Sequence, residues 1–311
     1  MTAQGQDTIV APSRVLVIRL GALGDFVQSF GPFGAIRKAH PKAHITLLTT
    51  KPFVELARLS PWFDSVEEDT RPAWTDLRGL ARLRGQLRGY DRVYDLQTSS
   101  RTARYFRLAG RPEWSGHARG AALVHTNPWR NDMHTRARQR NQLQEAGLTL
   151  DGAPDLSWLR GYGPVLPDPY ALLVPGAAAH RPAKRWPARR YGEVAQGLLA
   201  RGIRPVIVGS GAEQPLVEAI QAVCPQSLDL TGRTSLPELA GLAARAWGAV
   251  GNDTGPMHLA AAMGCRCLVL FSAESVPALT APVGQAPGQV RVLWARDLAF
   301  LSAQRVAATL W

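Results

Sequence analysis

At 311 residues, 46% of them hydrophobic, the chain is long enough for two cores, because a single core usually stops growing near roughly 250 residues. Its formal net charge of +12 excludes neither nucleic acid nor an anionic membrane surface as a partner, but no apolar run approaches the ~18 residues that span a bilayer. Residues 1–13 are polar, with no basic start before an apolar core, so no signal peptide is expected; Cys224, Cys265 and Cys267 fit no zinc spacing, and a reducing cytoplasm is the expected compartment.

Taken in chain order, Arg14 to Arg19 is a β-branched, apolar run entering a Gly-rich turn, which reads as a buried strand. A helix from Phe26 to Ala39 and a strand from His44 to Thr49 follow. Asp91 to Leu96 reads as another strand, Arg101 to Leu108 as a helix, and Asn131 to Ala146 as a polar helix. Between Leu148 and Pro169 the sequence turns irregular and rich in Gly and Pro, the best linker in the chain. The pattern then restarts with strand Tyr170 to Val174, helix Arg189 to Ala200, strand Pro205 to Val208, helix Glu213 to Val223 and helix Leu236 to Arg245. A strand from Ala246 to Val250, a helix through Leu259 to Met263, a strand from Cys267 to Phe271 and a last helix near Ser302 to Leu310 complete it. Alternating strands and helices imply parallel sheets covered on both faces, whose ligands bind beyond the carboxyl ends of the strands.

The charge is unevenly placed. Between Arg71 and Arg140 stand fifteen arginines, no lysine and five acids, a net of +10. Such a field attracts anionic membrane surfaces, phosphorylated glycolipids or nucleic acid. Arginine as the default surface cation is the alternative; it explains Arg over Lys but not the shortage of acids. A nucleic-acid binder would need stacking aromatics or a groove-reading helix, and neither is visible, so no nucleic-acid partner is expected.

The most informative stretch is Gly251-Asn252-Asp253-Thr254-Gly255-Pro256-Met257-His258. Pro256 suits the first helical position, which places Gly255 near the cap and leaves the amides of Met257 and His258 without intrahelical partners. A helix start of this kind suits a phosphate; an ordinary strand–turn–helix connection fits equally well. Asp253 alone reads as an Asx-turn. Asp25, after Gly21-Ala22-Leu23-Gly24, either caps the helix that follows or projects a carboxylate base from a strand end. The two glycines do not make a GxGxxG, which disfavours a nicotinamide enzyme. Lys184, in His180-Arg181-Pro182-Ala183-Lys184-Arg185-Trp186, is either a solvated loop charge or a cation for a diphosphate. Glu213, after Gly209-Ser210-Gly211, suits ribose hydroxyls or the first turn of a helix.

Four segments in order carry a more specific reading. GNDTGPMHLAAAMG, VLVIRLGALGDFVQSFGPFGAIRKAHP (Val15 to Pro41), LLVPGAAAHRPAKRWPARRYGEVAQGL (Leu172 to Leu198), and VIVGSGAEQ with LTGRTSLPELAGL (Val206 to Gln214, Leu230 to Leu242) resemble the ADP-heptose:lipopolysaccharide heptosyltransferases, glycosyltransferase family 9. The resemblance implies an α/β protein of the GT-B class: two Rossmann-like domains with parallel sheets facing across a cleft. The acceptor domain would be residues 1–160 and the nucleotide-sugar donor domain residues 161–311, its last helix free to pack back on the first. It implies an inverting transfer of heptose from ADP-heptose to a lipopolysaccharide inner-core acceptor. The alternatives are another nucleotide sugar or a non-catalytic nucleotide-sugar-binding protein. By the same resemblance Asp25 is the catalytic base, Lys184, Thr254, Gly255 and His258 meet the diphosphate, Asp253 holds sugar hydroxyls, Glu213 faces the nucleoside, and Thr234 lies beside the nucleobase. No metal and no cofactor are expected. The partners implied are the nucleotide sugar, an anionic glycolipid acceptor and the inner-membrane surface, with the protein peripheral on its cytoplasmic face. The sequence departs from the family's commonest wording at SAESVPALTAPVG, and its acceptor half matches mainly at Val15 to Pro41 and Asp95-Leu96-Gln97.

Overall fold

The computed structural model describes residues 12–167 and 169–311. Most of the N-terminal stretch considered for a leader, and Asp168 in the expected linker, lie outside the described residues. The contacts divide the chain into two compact units that are not contiguous in sequence. The first runs up to Leu20 and resumes over Gly31–Pro128 and Gln139–Asp151; the second holds Gly21–Phe30, Trp129–Arg138 and Gly152–Trp311. Where the sequence suggested a single division near residue 160, two short segments join the second unit, and one of them carries Asp25.

The first half of the chain forms, in order, β1 (Arg14–Ile18), α1 (Leu23–Gln28), α2 (Phe30–Ala39), β2 (His44–Thr49), α3 (Lys51–Arg58), β3 (Ser65–Glu68), α4 (Leu77–Leu87), β4 (Arg92–Asp95), α5 (Ser100–Leu108), β5 (Glu113–Gly116), β6 (Leu123–Val124) and α6 (Thr135–Glu145). Its six strands are all parallel and ordered β3-β2-β1-β4-β5-β6. Burial explains the register. In β1, Val15, Leu16, Val17 and Ile18 are all fully buried, as expected of a strand covered on both faces. One core of this unit joins Leu16, Ile18 and Leu48 to Tyr105, Phe106 and Trp114. The helix expected over Phe26 to Ala39 is two helices. The first begins three residues earlier, at Leu23, and ends at Ser29, whose hydroxyl donates to the Asp25 carbonyl at 2.9 Å.

The second half repeats the scheme with β7 (Tyr170–Val174), α7 (Ala188–Ala200), β8 (Arg204–Ile207), α8 (Gln214–Gln221), β9 (Leu228–Asp229), α9 (Leu236–Arg245), β10 (Gly248–Asn252), α10 (Gly255–Ala262), β11 (Cys267–Phe271), α11 (Pro277–Thr280), β12 (Val290–Trp294) and α12 (Ala303–Thr309). Its sheet, ordered β12-β11-β10-β7-β8-β9, is also wholly parallel. Read from the β9 edge, that is the order of the first sheet. Each sheet therefore reverses direction beside its own first strand, between β1 and β4 and between β7 and β10. In such sheets the crevice at the reversal is where ligands bind. The core of the second unit packs Trp186, Tyr191, Val194 and Leu198 against Leu173, Val250 and Leu268. Leu298, Leu301, Ala303 and Val306 belong to that core, so α12 packs on its own unit. The expected linker is also tied down. The Arg245 guanidinium donates to the carbonyls of Arg160, Tyr162 and Pro164 at 2.6, 3.0 and 3.0 Å, and Leu159 is fully buried.

Candidate active site

The reversal point of the second sheet is built around one asparagine. Asn252 ends β10 with its side chain fully buried. Its amide donates to the carbonyls of Pro175 and Gly176 at 2.7 and 3.3 Å, and its oxygen accepts from the Trp186 backbone N–H at 3.0 Å and the Tyr191 hydroxyl at 3.1 Å. An amide can make about four hydrogen bonds, and here all are used. Burial pushes the Tyr191 phenol well above its ordinary range, so it remains a donor. Asn252 thus fastens both ends of the loop between β7 and α7 to the end of β10. That loop carries Lys184.

Lys184 is held in turn by Asp253: Nζ and Oδ2 are 2.6 Å apart, with the side chains only 13% and 7% exposed. The pair presents a fixed ammonium beside the start of α10. Here the structure adjusts the expected cap. Thr254 is the N-cap, Gly255 begins the helix and Pro256 is inside its first turn. The Met257 N–H, expected to be free, donates to the Thr254 carbonyl at 3.1 Å. Gly255 also has a different reason to be glycine. A Cβ there would stand 2.5 Å from Cβ of Leu23, so the missing side chain makes room for α1, which packs on α10.

That packing brings Asp25 to the same place. Asp25 is the third residue of α1 and Ala22 holds the cap position, so Asp25 is not the N-cap. The imidazole of His258 lies against Gly24, where a Cβ would be 2.8 Å from the ring. Burial lowers His258 to a pKa of about 4, against the opposing pull of Asp253 and Asp25 and with help from His134 and Lys184. The ring is therefore neutral at physiological pH. Asp25, Lys184, Asp253, Thr254, Gly255 and His258 all line one cavity of about 520 Å³. A second cavity, of about 390 Å³, shares Ala178 and Thr254 with it and is walled by Val174, Gly176, Val208 and Glu213. Glu213 accepts from the backbone N–H and hydroxyl of Ser210 at 2.7 and 2.5 Å, so it caps the turn as well as lining the cavity. Thr234 is not among the residues lining either cavity.

Sequence reasoning missed Gln28, Ala178, Glu274 and Ser275, which line the larger cavity. Glu274 and Ser275 follow β11, and their position beyond a strand end was the available signal. Gln28 is a buried helix residue with no motif around it to mark it out.

Chemically, a fixed ammonium, a neutral imidazole and a helix start suit a diphosphate. The adjoining cavity with its carboxylate suits a nucleoside, and a carboxylate outside the cap position suits proton transfer. Two α/β units, each with this sheet order, are the architecture of the GT-B class.

Comparison with known proteins agrees. The family model described as glycosyltransferase family 9 (heptosyltransferase) matches residues 130–299, and the chain belongs to that family. A curated relative, lipooligosaccharide heptosyltransferase 2 of Haemophilus influenzae, is 26% identical over 90% of this chain and 88% of its own length. Among solved structures, Escherichia coli ADP-heptose lipopolysaccharide heptosyltransferase II aligns with a TM-score of 0.75 at 23% identity, covering 95% of this chain and 96% of that one. E. coli heptosyltransferase WaaC with ADP aligns with a TM-score of 0.78 at 21% identity, covering 95% and 98%.

Proposed function

We propose that the protein transfers heptose from ADP-heptose to a lipopolysaccharide inner-core acceptor, with inversion at the anomeric carbon. The observation that carries this reading is the meeting of Asp25 with Lys184, Asp253 and His258 in one cavity, in a chain of this family. In the proposed step an acceptor hydroxyl oxygen forms a bond to the anomeric carbon while the bond from that carbon to the ADP oxygen breaks. The hydroxyl proton passes to the Asp25 carboxylate, and ADP leaves with the bonding pair. Lys184 and the Nε2 edge of His258 meet the growing charge on the diphosphate, Glu213 faces the ribose, and Asp253 divides its carboxylate between Lys184 and sugar hydroxyls. Every group in this scheme is a side chain or a helix start, so the scheme itself calls for no metal.

The test is ADP release from ADP-heptose in the presence of a heptose-deficient core acceptor, with the anomeric configuration of the product read by NMR. Release that needs the acceptor and yields the inverted linkage supports the reading. Equal release with other nucleotide sugars would move the donor assignment, and binding without release would leave a binding protein. The arginine-rich part of the first unit is proposed to hold the protein at an anionic membrane or glycolipid surface. No helix among the described residues is long and apolar enough to cross a membrane. Binding to anionic liposomes should weaken with salt, as charges screened over about 8 Å require; equal binding to neutral liposomes would remove the arginines from the account.

A further inference from the structure

We propose that Gln28 is a positioning residue that selects the tautomer of His258: its amide nitrogen keeps Nδ1 unprotonated, so that the ring turns an Nε2–H toward the diphosphate. The purpose assigned to this device rests on the proposed function; the device itself rests on the contacts alone.

Gln28 Nε2 lies 3.0 Å from His258 Nδ1. The same nitrogen faces the Thr280 carbonyl oxygen at 3.5 Å. A carbonyl only accepts, so the amide atom that faces both groups is the –NH₂ and not the oxygen. A donor directed at Nδ1 needs the lone pair of that ring nitrogen, which leaves the proton on Nε2. Gln28 is 6% exposed and its Oε1 has no hydrogen-bond partner. An unpaired buried oxygen is unfavourable, and the reversed amide would set that oxygen against the Thr280 carbonyl. The imidazole is confined on its other side by Gly24, whose place a Cβ would contest at 2.8 Å. The ring therefore has little room to turn over and exchange its two nitrogens.

The chemistry favours this tautomer. A neutral imidazole that presents Nε2–H donates to a phosphate oxygen without giving up a proton. The opposite tautomer would present a lone pair to an anion. Because burial keeps the ring neutral, with a pKa of about 4, charge does not override the choice, and the hydrogen bond to Nδ1 decides it. Gln28 lies one turn after Asp25 on α1, so a six-residue helix supplies both a carboxylate to the cavity and the orientation of the histidine beside it.

The experiment is long-range ¹H–¹⁵N correlation of histidine-labelled protein near neutral pH, with the His258 signals assigned by their loss in His258→Gln. The free protein should show a pyridine-type Nδ1 and a protonated Nε2. In Gln28→Glu the carboxylate accepts instead of donating, so Nδ1 should become protonated. In Gln28→Met, which keeps the volume, the two tautomers should mix. ADP affinity by calorimetry should fall about tenfold in Gln28→Glu, the worth of one hydrogen bond to a charged group. A free wild-type protein with Nδ1 protonated overturns the proposal, whether or not the variants fold, as do His258 signals unchanged in both. Failure of the wild type to bind ADP would overturn the diphosphate reading and leave the tautomer result standing.

Discussion

Asn252→Ala removes the fastening of the Lys184 loop, and its cost can be worked from the contacts. The substitution strands one donor, the Trp186 backbone N–H, and two carbonyls, those of Pro175 and Gly176, while the Tyr191 hydroxyl keeps the Val174 carbonyl at 3.3 Å as an acceptor. A buried group left unpaired costs about 1–3 kcal/mol. Both carbonyls belong to buried residues, but a buried carbonyl tolerates the loss of a partner better than an N–H does, so the Trp186 donor dominates. The expected loss is about 1–4 kcal/mol, and at about 2–4 °C per kcal/mol for a domain of this size the melting temperature should fall by roughly 3–15 °C. ADP affinity should fall as well, because the loop end that fixes Lys184 has lost its anchor. Urea unfolding followed by near-ultraviolet circular dichroism, with calorimetry on the folded variant, measures both. Asn252→Asp separates the two halves of the contact: it keeps the acceptor for Trp186 and Tyr191 but sets an oxygen against the Pro175 carbonyl, now 2.7 Å from the amide nitrogen. A loss below about 1 kcal/mol in Asn252→Ala, within the worth of a single hydrogen bond, would refute the view that this residue organises the site.

Asp25→Asn should lower turnover by about 10²–10⁴-fold, the usual worth of a general base, with ADP affinity little changed; near-full turnover would place the base elsewhere. Gly255→Ala should cost about 1–3 kcal/mol by overpacking against Leu23, and Leu23→Ala should recover part of that loss in a double-mutant cycle; strict additivity would deny the contact. Two buried groups should give opposite pH dependences. Burial raises Asp95 from 3.8 to about 6, so the folded state binds its proton more tightly, and this contribution to stability grows as pH falls from about 6 to 4. His258 is lowered from 6.5 to about 4, so the unfolded state binds its proton more tightly, and stability is lost as pH falls over nearly the same interval. Each shift corresponds to about 3 kcal/mol. Relative to wild type, Asp95→Asn should therefore lose more stability on acidification and His258→Gln less, and parallel urea-unfolding curves against pH would contradict both.

The doubly wound architecture was legible because its central strands announce themselves. β1, β7, β10 and β11 are short apolar runs with almost every residue buried. The edges were not legible for the same reason in reverse. β3 reads SVEE and is half-exposed, β12 is mostly exposed, and β9 has only two residues. A strand paired on one side lacks the apolar run that identifies a central one. The break between α1 and α2 was also hidden, since Phe26, Phe30 and Phe33 are all buried and continue one helical pattern across Ser29.

The site was legible in its members but less so in their duties. In GNDTGPMH the sequence reading assigns Asp253, Thr254, Gly255 and His258 to the ligand and leaves the Met257 amide unpaired. In the structure, Asn252 holds a loop, Asp253 holds Lys184, Gly255 admits Leu23 and the Met257 amide closes a turn. Asp253 and Gly255 line the cavity as well, beside the groups those internal contacts position: the Lys184 ammonium, Thr254 at the cap and the His258 ring. The local sequence cannot reveal this division, because Pro175, Lys184 and Trp186 lie roughly seventy residues before the motif and Leu23 and Gln28 more than two hundred. Preorganisation of a charged site requires that most of its polar groups be spent on one another, so that those left for the ligand need not rearrange when charge develops. A motif of this kind therefore specifies a scaffold more than a list of contacts. The residue types that bind a diphosphate are also ones able to satisfy buried backbone, which is why a sequence reading can single out residues that meet in one cavity without revealing the internal contacts that hold them.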